Sequence, residues 1–201
     1  MSFGGSYSAS GGVYLSGLGC INGTSQKFTE AGHIVNRGEI SYTGSSTHND
    51  GKVRVGGLFA SIPADVTTIV ASETVDFVNL GNLTYSGTIA NAANAAVGGI
   101  AAVTSSPITG AKAYFNADVV DGISSGFITG SARSTTVIAS KCQIGGSFVG
   151  EYSVEEDEYS TIKLNSSNFY QSIYGSGKST DWTGTDNYDG CSVLTTAPKV
   201  E

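Results

Sequence analysis

The chain repeats a phrase of eleven residues at an interval of 43 residues. The first copy, at 34–44, reads Ile-Val-Asn-Arg-Gly-Glu-Ile-Ser-Tyr-Thr-Gly, and the second, at 77–87, reads Phe-Val-Asn-Leu-Gly-Asn-Leu-Thr-Tyr-Ser-Gly. A Gly-Gly phrase follows each copy, at 55–60 and at 97–102. Repetition at a fixed period is typical of stacked architectures, in which successive units share a core. The repeat therefore constrains the fold far more than it constrains the function.

Each unit of about 42 residues contains short runs in which apolar and polar residues alternate, such as 39–42 and 82–85. Alternation with period two predicts β-strands, and the glycines and asparagines between the runs predict sharp corners. Two-residue hairpin turns are few, so the pattern favours a coil of parallel strands. We expect rungs of about 20 residues, two per unit and about six or seven over 11–150, stacked about 4.8 Å apart. The alternative is a β-sandwich with accidental internal similarity.

The chain divides into three segments. Residues 1–10 are rich in Gly and Ser and predict a flexible start, 11–150 contain the repeats, and 151–201 lie outside them. In the last segment the acidic run 155–158 indicates a solvated loop, and 166–175 has the serine start and glycine end of one short helix. We expect 151–201 to cap the apolar end of the stack.

Composition excludes several classes of protein. The net charge is −7 and the ten Lys and Arg residues are scattered, which argues against nucleic acid as a partner. No run of 18 apolar residues is present, so the sequence predicts no membrane span. The first residues lack the basic and apolar parts of a signal peptide. This predicts either an intracellular protein or a trimmed part of a longer secreted chain.

The three cysteines do not form a disulfide framework or a metal motif by their spacing. Cys20, Cys142 and Cys191 are interpreted as small core residues. One disulfide, between Cys142 and Cys191, is compatible with the sequence.

Several short segments of the repeat region together resemble the GLUG-type repeat proteins of gut Bacteroidales. These segments lie at 35–40, 56–58, 78–83, 98–100 and 144–150. The resemblance covers roughly residues 11–150. It implies a right-handed parallel β-helix that is part of a longer protein on the outer cell surface. It also implies an adhesin or glycan-contacting role, with glycans or host surface proteins as partners and no catalytic residue. Ala60 and Ala102 stand where the family phrase has glycine.

These observations predict a non-enzymatic, extracellular β-helix module with a binding or structural role. One alternative is a β-helix polysaccharide lyase or glycoside hydrolase, which needs carboxylates such as Asp118 and Asp121 near each other in a cleft. His33 and His48 are far from both of these acids in the sequence. A second alternative is a fibre or spike component of a phage.

Three aromatic residues are candidates for ligand binding. Trp182 is the only tryptophan, and Tyr42 and Tyr85 occupy equivalent repeat positions. If the tyrosines point outward, they form an aromatic stripe that can stack on sugar rings. If they point inward, the same rings are a stacked pair inside the fold, and Trp182 can equally be a core residue.

Two sets of polar residues are candidates for other roles. Asn36 and Asn79 recur at one repeat position, with Asn116 as a third copy, and predict a structural ladder of amide hydrogen bonds. No cofactor is expected, although oxygen atoms near residue 187 can bind Ca²⁺. The three candidate ligands are Asp186, Asn187 and Asp189. Ordinary turn chemistry also explains them.

Overall fold

The computed structural model describes residues 1–20, 32–63, 69–70, 75–132, 139–149 and 191–200. Within these ranges the chain is all-β, with one 3₁₀ turn at Ala92–Asn94 and no α-helix. Every pairing between the described strands is parallel. The described strands therefore do not form an antiparallel sandwich.

The strands follow one another in passes, and the strands that a pass contains come in the same order of sheets. The first pass contains β1 (Ser2–Phe3), β2 (Ser6–Tyr7), β3 (Gly12–Ser16) and β4 (Gly19–Cys20). The second contains β5 (Gly32–Asn36), β6 (Ile40–Tyr42), β7 (Ser45–Ser46), β8 (Lys52–Gly56), β9 (Phe59–Ile62) and β10 (Ile69–Val70). The third contains β11 (Val75–Asn79), β12 (Leu83–Tyr85), β13 (Thr88–Ile89), β14 (Ala95–Gly98), β15 (Ala101–Thr104) and β16 (Ile108–Thr109). The fourth contains β17 (Lys112–Val119), β18 (Ser124–Gly126), β19 (Thr129–Ala132) and β20 (Ala139–Ser140). The fifth opens with β21 (Gln143–Val149), on which β22 (Ser192–Val193) is stacked.

Five parallel sheets result from this stacking. Sheet A contains β1, β5, β6, β11, β12, β17, β21 and β22. Sheet B contains β2, β7 and β13, and sheet C contains β3, β8, β14 and β18. Sheet D contains β4, β9, β15 and β19, and sheet E contains β10, β16 and β20.

The two copies of the eleven-residue phrase lie on neighbouring strands. Val78 of β11 is aligned with Val35 of β5, and Leu83 of β12 is aligned with Ile40 of β6. Each repeat unit therefore makes one pass, and the expected two rungs of about 20 residues per unit are wrong. The reason is that the second pass alone contains six strands of two to five residues. The corners between such short strands take up the rest of the unit. Residues 11–150 therefore span five passes, and not six or seven rungs.

The core is formed by the inward side chains of successive passes. In β6, Ile40 and Tyr42 point into the core, whereas Ser41 between them is partly exposed. The third pass repeats this pattern in β12, where Leu83 packs beside Ile40. Each such side chain contributes roughly 1.5–3 kcal/mol through burial. The alternation seen in the sequence therefore separates the core from the outer surface.

The Gly-Gly phrases form stacked corners between sheets C and D, as the repeat predicts. Gly56 is aligned with Gly98, and Gly98 with Gly126. The Gly57 amide donates to the Gly98 carbonyl at 2.9 Å. A Cβ on Gly57 would clash with the carbonyl oxygen of Gly99. Only glycine allows the passes to approach this closely at the corner.

The first residues are not the flexible start that their composition suggests. β1 pairs with β6 and β2 pairs with β7. The backbone amide of Ser41 donates to the carbonyl of Met1 at 2.9 Å. Residues 1–7 therefore belong to the first pass, because parallel pairing satisfies backbone groups whatever the side chains are.

The carboxyl-terminal segment 191–200 runs across the passes. Its Leu194 amide donates to the Ile144 carbonyl in the fifth pass at 2.7 Å. Farther along, the carbonyl of Val200 accepts from the Arg37 guanidinium in the second pass at 3.2 Å. The expected helix at 166–175, and most of the expected cap at 151–201, lie outside the described residues.

Candidate functional site

The two tyrosines proposed as an outer aromatic stripe lie inside the fold. Tyr42 and Tyr85 both have 0% exposure, and their ring centroids are 4.9 Å apart. Phe3 of the first pass stacks on Tyr42 at 5.8 Å. The ligand-binding role predicted for Tyr42 and Tyr85 is therefore wrong. Both side chains alternate with outward Ser and Thr residues, and the core takes the larger, more apolar set.

The hydroxyl groups of this stack differ in their environment. Tyr42 Oη donates to the Thr88 carbonyl at 3.2 Å, whereas Tyr85 Oη is buried without a hydrogen-bond partner among the described residues. Burial, reinforced by the neighbouring Tyr42, raises the pKa of Tyr85 far above its ordinary value. Tyr85 is therefore a neutral core residue that retains one unsatisfied polar atom.

This difference gives a prediction with a matched pair of variants. Tyr85→Phe should leave stability unchanged or raise it by up to about 1 kcal/mol, because it removes an unsatisfied buried hydroxyl. Tyr42→Phe should lower stability by about 0.5–1.5 kcal/mol, because it removes a hydrogen bond. Guanidinium unfolding of both variants provides the measurement. A larger loss for Tyr85→Phe than for Tyr42→Phe would contradict the assignment.

The asparagine ladder joins two of the three residues proposed for it. Asn36 and Asn79 are aligned, and Asn36 Nδ2 donates to Asn79 Oδ1 at 2.8 Å. Asn79 is fully buried and also bonds the backbone of Gly81 through both side-chain atoms. Asn116 is not in this ladder, because Ala113 occupies the aligned position in the fourth pass. The shorter spacing between the third and fourth passes shifts the register away from the repeat.

Four of the remaining candidates, Trp182, Asp186, Asn187 and Asp189, lie outside the described residues. The predicted sugar stacking and Ca²⁺ binding there stay predictions. The described ranges contain no group of three or more His, Cys, Asp or Glu side chains placed to hold a metal ion.

A row of polar side chains crosses the outer face of sheet A. Ser2, Ser41, Thr84 and Asp118 are aligned on the consecutive strands β1, β6, β12 and β17. Ser2 and Asp118 are exposed, and Ser41 and Thr84 are half-buried. The strands of a sheet are about 4.8 Å apart, so this polar row offers one oxygen-bearing group at each step of the stack.

Amide side chains fix the backbone beside the polar row. Asn82 Oδ1 accepts from the backbone amide of Asn116 at 3.0 Å. One pass farther, Asn116 Oδ1 accepts from the Ser147 hydroxyl at 2.8 Å and from its amide at 3.3 Å. Exposed Asn116 thus links the fourth and fifth passes on the outside. These bonds stiffen the face that carries the polar row.

A charged cluster occupies the other half of the same sheet. Asp76 Oδ2 lies 3.1 Å from His33 Nδ1, and Asp76 Oδ1 lies 3.2 Å from Lys112 Nζ. The three residues come from the second, third and fourth passes. His33 is 45% exposed and Asp76 is 24% exposed at the side chain. The carboxylate therefore orients a solvent-accessible imidazole and neutralises the nearby ammonium group.

Sequence reasoning missed this cluster, although part of it had a signal. His33 and Asp76 are separated by the same 43 residues as the repeated phrase, and each precedes its copy by one residue. Lys112 carries no such signal, because the fourth pass departs from the repeat interval. Its partner in the ladder is Val78, and its long side chain reaches Asp76 from there.

A second polar cluster lies where the outer faces of sheets C and D meet. The Arg54 guanidinium donates to Ser61 Oγ at 2.7 Å and stacks over the Tyr14 ring at 5.3 Å. Arg54 is only 7% exposed, whereas Tyr14 is 40% exposed. Burial raises the pKa of the adjacent Cys20 thiol, and the Arg54 charge opposes that rise. This cluster packs two sheets together and leaves one face of the aromatic ring toward solvent.

The fold and its surface define an all-β protein of stacked parallel strands. No family model matches the chain, and neither the curated proteins nor the solved structures contain a significant match. No helix in the described part of the chain is long and apolar enough to cross a membrane.

Proposed function

We propose that this chain is a right-handed parallel β-helix, displayed at the cell surface, that binds carbohydrate chains through the outer face of sheet A. The constant order in which the passes visit the sheets supports a helical coil. The hand follows from a general rule, since crossovers between parallel strands of one sheet are right-handed in about 98% of cases. Display outside the cell, in the manner of GLUG-type repeat proteins, rests on the resemblance of the repeats.

The polar row is the observation that carries the binding role. A serine or threonine hydroxyl both donates and accepts hydrogen bonds, as a sugar hydroxyl does. Ser2, Ser41 and Thr84 repeat this group on three neighbouring strands. Because the strands fix the spacing of these hydroxyls, the protein loses little conformational entropy when a ligand binds. An extended chain of sugars suits such a row better than a compact ligand does.

The surrounding surface supports the same class of ligand. Charged residues make up only 13% of the chain, and Asp118 is the one charged member of the polar row. Individual contacts of this kind are weak, at about 0.5–1.5 kcal/mol each. Useful adhesion would then come from repeated contacts along the stack or on a crowded surface. This is the behaviour expected of an adhesin or a matrix-binding module.

The test is a glycan array probed with the whole chain and two double variants. Ser41→Ala with Thr84→Val removes two hydroxyls of the polar row and should weaken binding by roughly 5–150-fold, if each lost bond contributes as above. Ser45→Ala with Thr88→Val is the control, since these hydroxyls bond each other at 3.1 Å in sheet B. The control should bind like the unchanged chain.

Equal loss in both double variants, or no loss in the first, would contradict binding at the polar row. Circular dichroism of each variant separates lost binding from lost structure. Retention on the same glycans by an unrelated parallel-strand scaffold would show that the array signal is non-specific.

The charged cluster favours a second candidate, a polysaccharide lyase or glycoside hydrolase. A histidine oriented by a carboxylate can act as a general base, and Lys112 pairs with the same carboxylate. Release of new reducing ends from the bound glycans, abolished in His33→Ala, would support this candidate. Binding without turnover supports the module.

A further inference from the structure

We propose that Cys142 and Cys191 form a disulfide bond that ties the carboxyl-terminal segment 191–200 to the fifth pass. The strand register brings the two residues together. β22 pairs with β21 so that Ser192 lies against Gln143 and Val193 against Ile144. The two cysteines immediately precede these partners and are therefore neighbours across the same ladder.

Hydrogen bonds hold the two residues in contact. The Ser192 amide donates to the Cys142 carbonyl at 2.9 Å, and the Cys142 amide approaches Cys191 Sγ at 3.3 Å. Aligned residues on parallel neighbours are about 4.8 Å apart, within the Cα separation of about 4.4–6.8 Å that disulfides span. The backbone spacing is therefore compatible with a bond between the two sulfur atoms.

The surroundings of the pair decide which thiol reacts first. Cys142 has 0% exposure, and its thiol faces the carbonyls of Ile108 and Ser140. The contact with Cys191, together with burial, raises the pKa of Cys142 well above its usual range. Cys191 is partly exposed. It is therefore the residue that meets a reagent from solution, and Cys142 is the residue that closes the bond.

The chemistry is thiol–disulfide exchange with a small-molecule disulfide as the oxidant. The Cys191 thiolate attacks one sulfur of the oxidant, forms a mixed disulfide and releases one small thiolate. Cys142 then loses its proton and attacks Cys191 Sγ, which expels the second small thiolate. The protein gives up two electrons and two protons, and the oxidant becomes two thiols.

The bond would secure a segment that crosses sheet A. Segment 191–200 begins at Cys191 and reaches Arg37 in the second pass through the Val200 carbonyl. Its first strand, Ser192–Val193, has only two residues, so few backbone hydrogen bonds hold it. A covalent link at Cys191 would keep the start of the segment in place and constrain the unfolded chain.

The experiment treats the whole chain with oxidised glutathione and then measures intact mass and tryptic peptides. We expect a loss of two hydrogen atoms and one new cross-linked species between peptides 142–163 and 179–199. The midpoint of thermal unfolding should rise by roughly 5–10 °C on oxidation. Cys20→Ser is the matched control, and it should give the same cross-link and the same shift.

Two results would overturn the proposal. One is a cross-link from Cys191 to Cys20, or between two chains, in place of the 142–191 link. The other is free alkylation of both Cys142 and Cys191 in the unfolded protein after oxidation. Because peptide mapping requires no change at either cysteine, the test holds even if Cys142→Ser fails to fold. Cys191→Ser should abolish the shift in unfolding midpoint.

Discussion

Replacing Gly57 with alanine should lower the free energy of unfolding by about 3 kcal/mol or more, one of the largest effects expected for a single substitution. The new Cβ would meet the carbonyl oxygen of Gly99 in the next pass and lie 2.5 Å from Cγ of Asn79. The first of these contacts is backbone, so it cannot be relieved by rotation of a side chain. Relief would require the second and third passes to separate at the corner.

Gly38→Ala is the matched control for this substitution. Gly38 lies in a corner of the same pass, but a Cβ there would meet only the Asn36 side chain at 3.7 Å. That distance is an ordinary van der Waals contact, so we expect a change within about 0.5 kcal/mol. Urea unfolding of the two variants under the same conditions provides the comparison. Similar stability of Gly57→Ala and Gly38→Ala would show that the corner is looser than described.

Asn79→Ala should lower the free energy of unfolding by about 2–4 kcal/mol. Asn79 is fully buried, accepts from Asn36, and bonds both the amide and the carbonyl of Gly81. Alanine would leave these buried groups unsatisfied, at about 1–3 kcal/mol each where water cannot reach them. It would also open a cavity beside the Gly57 corner.

Asn116→Ala separates the buried ladder from an exposed amide. Asn116 is exposed, and its side-chain Oδ1 accepts from the hydroxyl and the backbone amide of Ser147 in the fifth pass. Water can replace these side-chain bonds, so the loss should stay below about 1 kcal/mol. Thermal unfolding of both variants tests the difference. A loss for Asn116→Ala as large as for Asn79→Ala would mean that the exposed amide is as important as the buried one.

Contacts between residues one repeat interval apart could be predicted from the sequence. The alignment of Asn36 with Asn79 could be predicted because similar phrases at one interval stack in register. The same interval could have joined His33 to Asp76, which also lie one repeat apart. Lys112 could not be placed in this way, because the interval between the third and fourth passes is shorter than the repeat.

The direction of the tyrosines follows from a sequence signal that the binding hypothesis did not use. Tyr42 and Tyr85 each lie two residues after an apolar residue, Ile40 and Leu83. Side chains two residues apart on a strand share one face, so both tyrosines face the core beside Ile40 and Leu83. The candidate binding surface is therefore the polar row on the outer face of sheet A, and not the aromatic rings.

By itself, the sequence determined that the chain is built from short parallel strands with glycine corners, because repeated phrases with period-two alternation pair best with their own copies. It also determined which residues share a ladder where the interval is constant. Only the tertiary structure decided that one pass takes up a whole repeat unit, since the number of corners per pass depends on how the short strands pack against one another. The same packing brings Lys112 to Asp76 and Cys191 to Cys142, contacts between residues that no repeat interval relates.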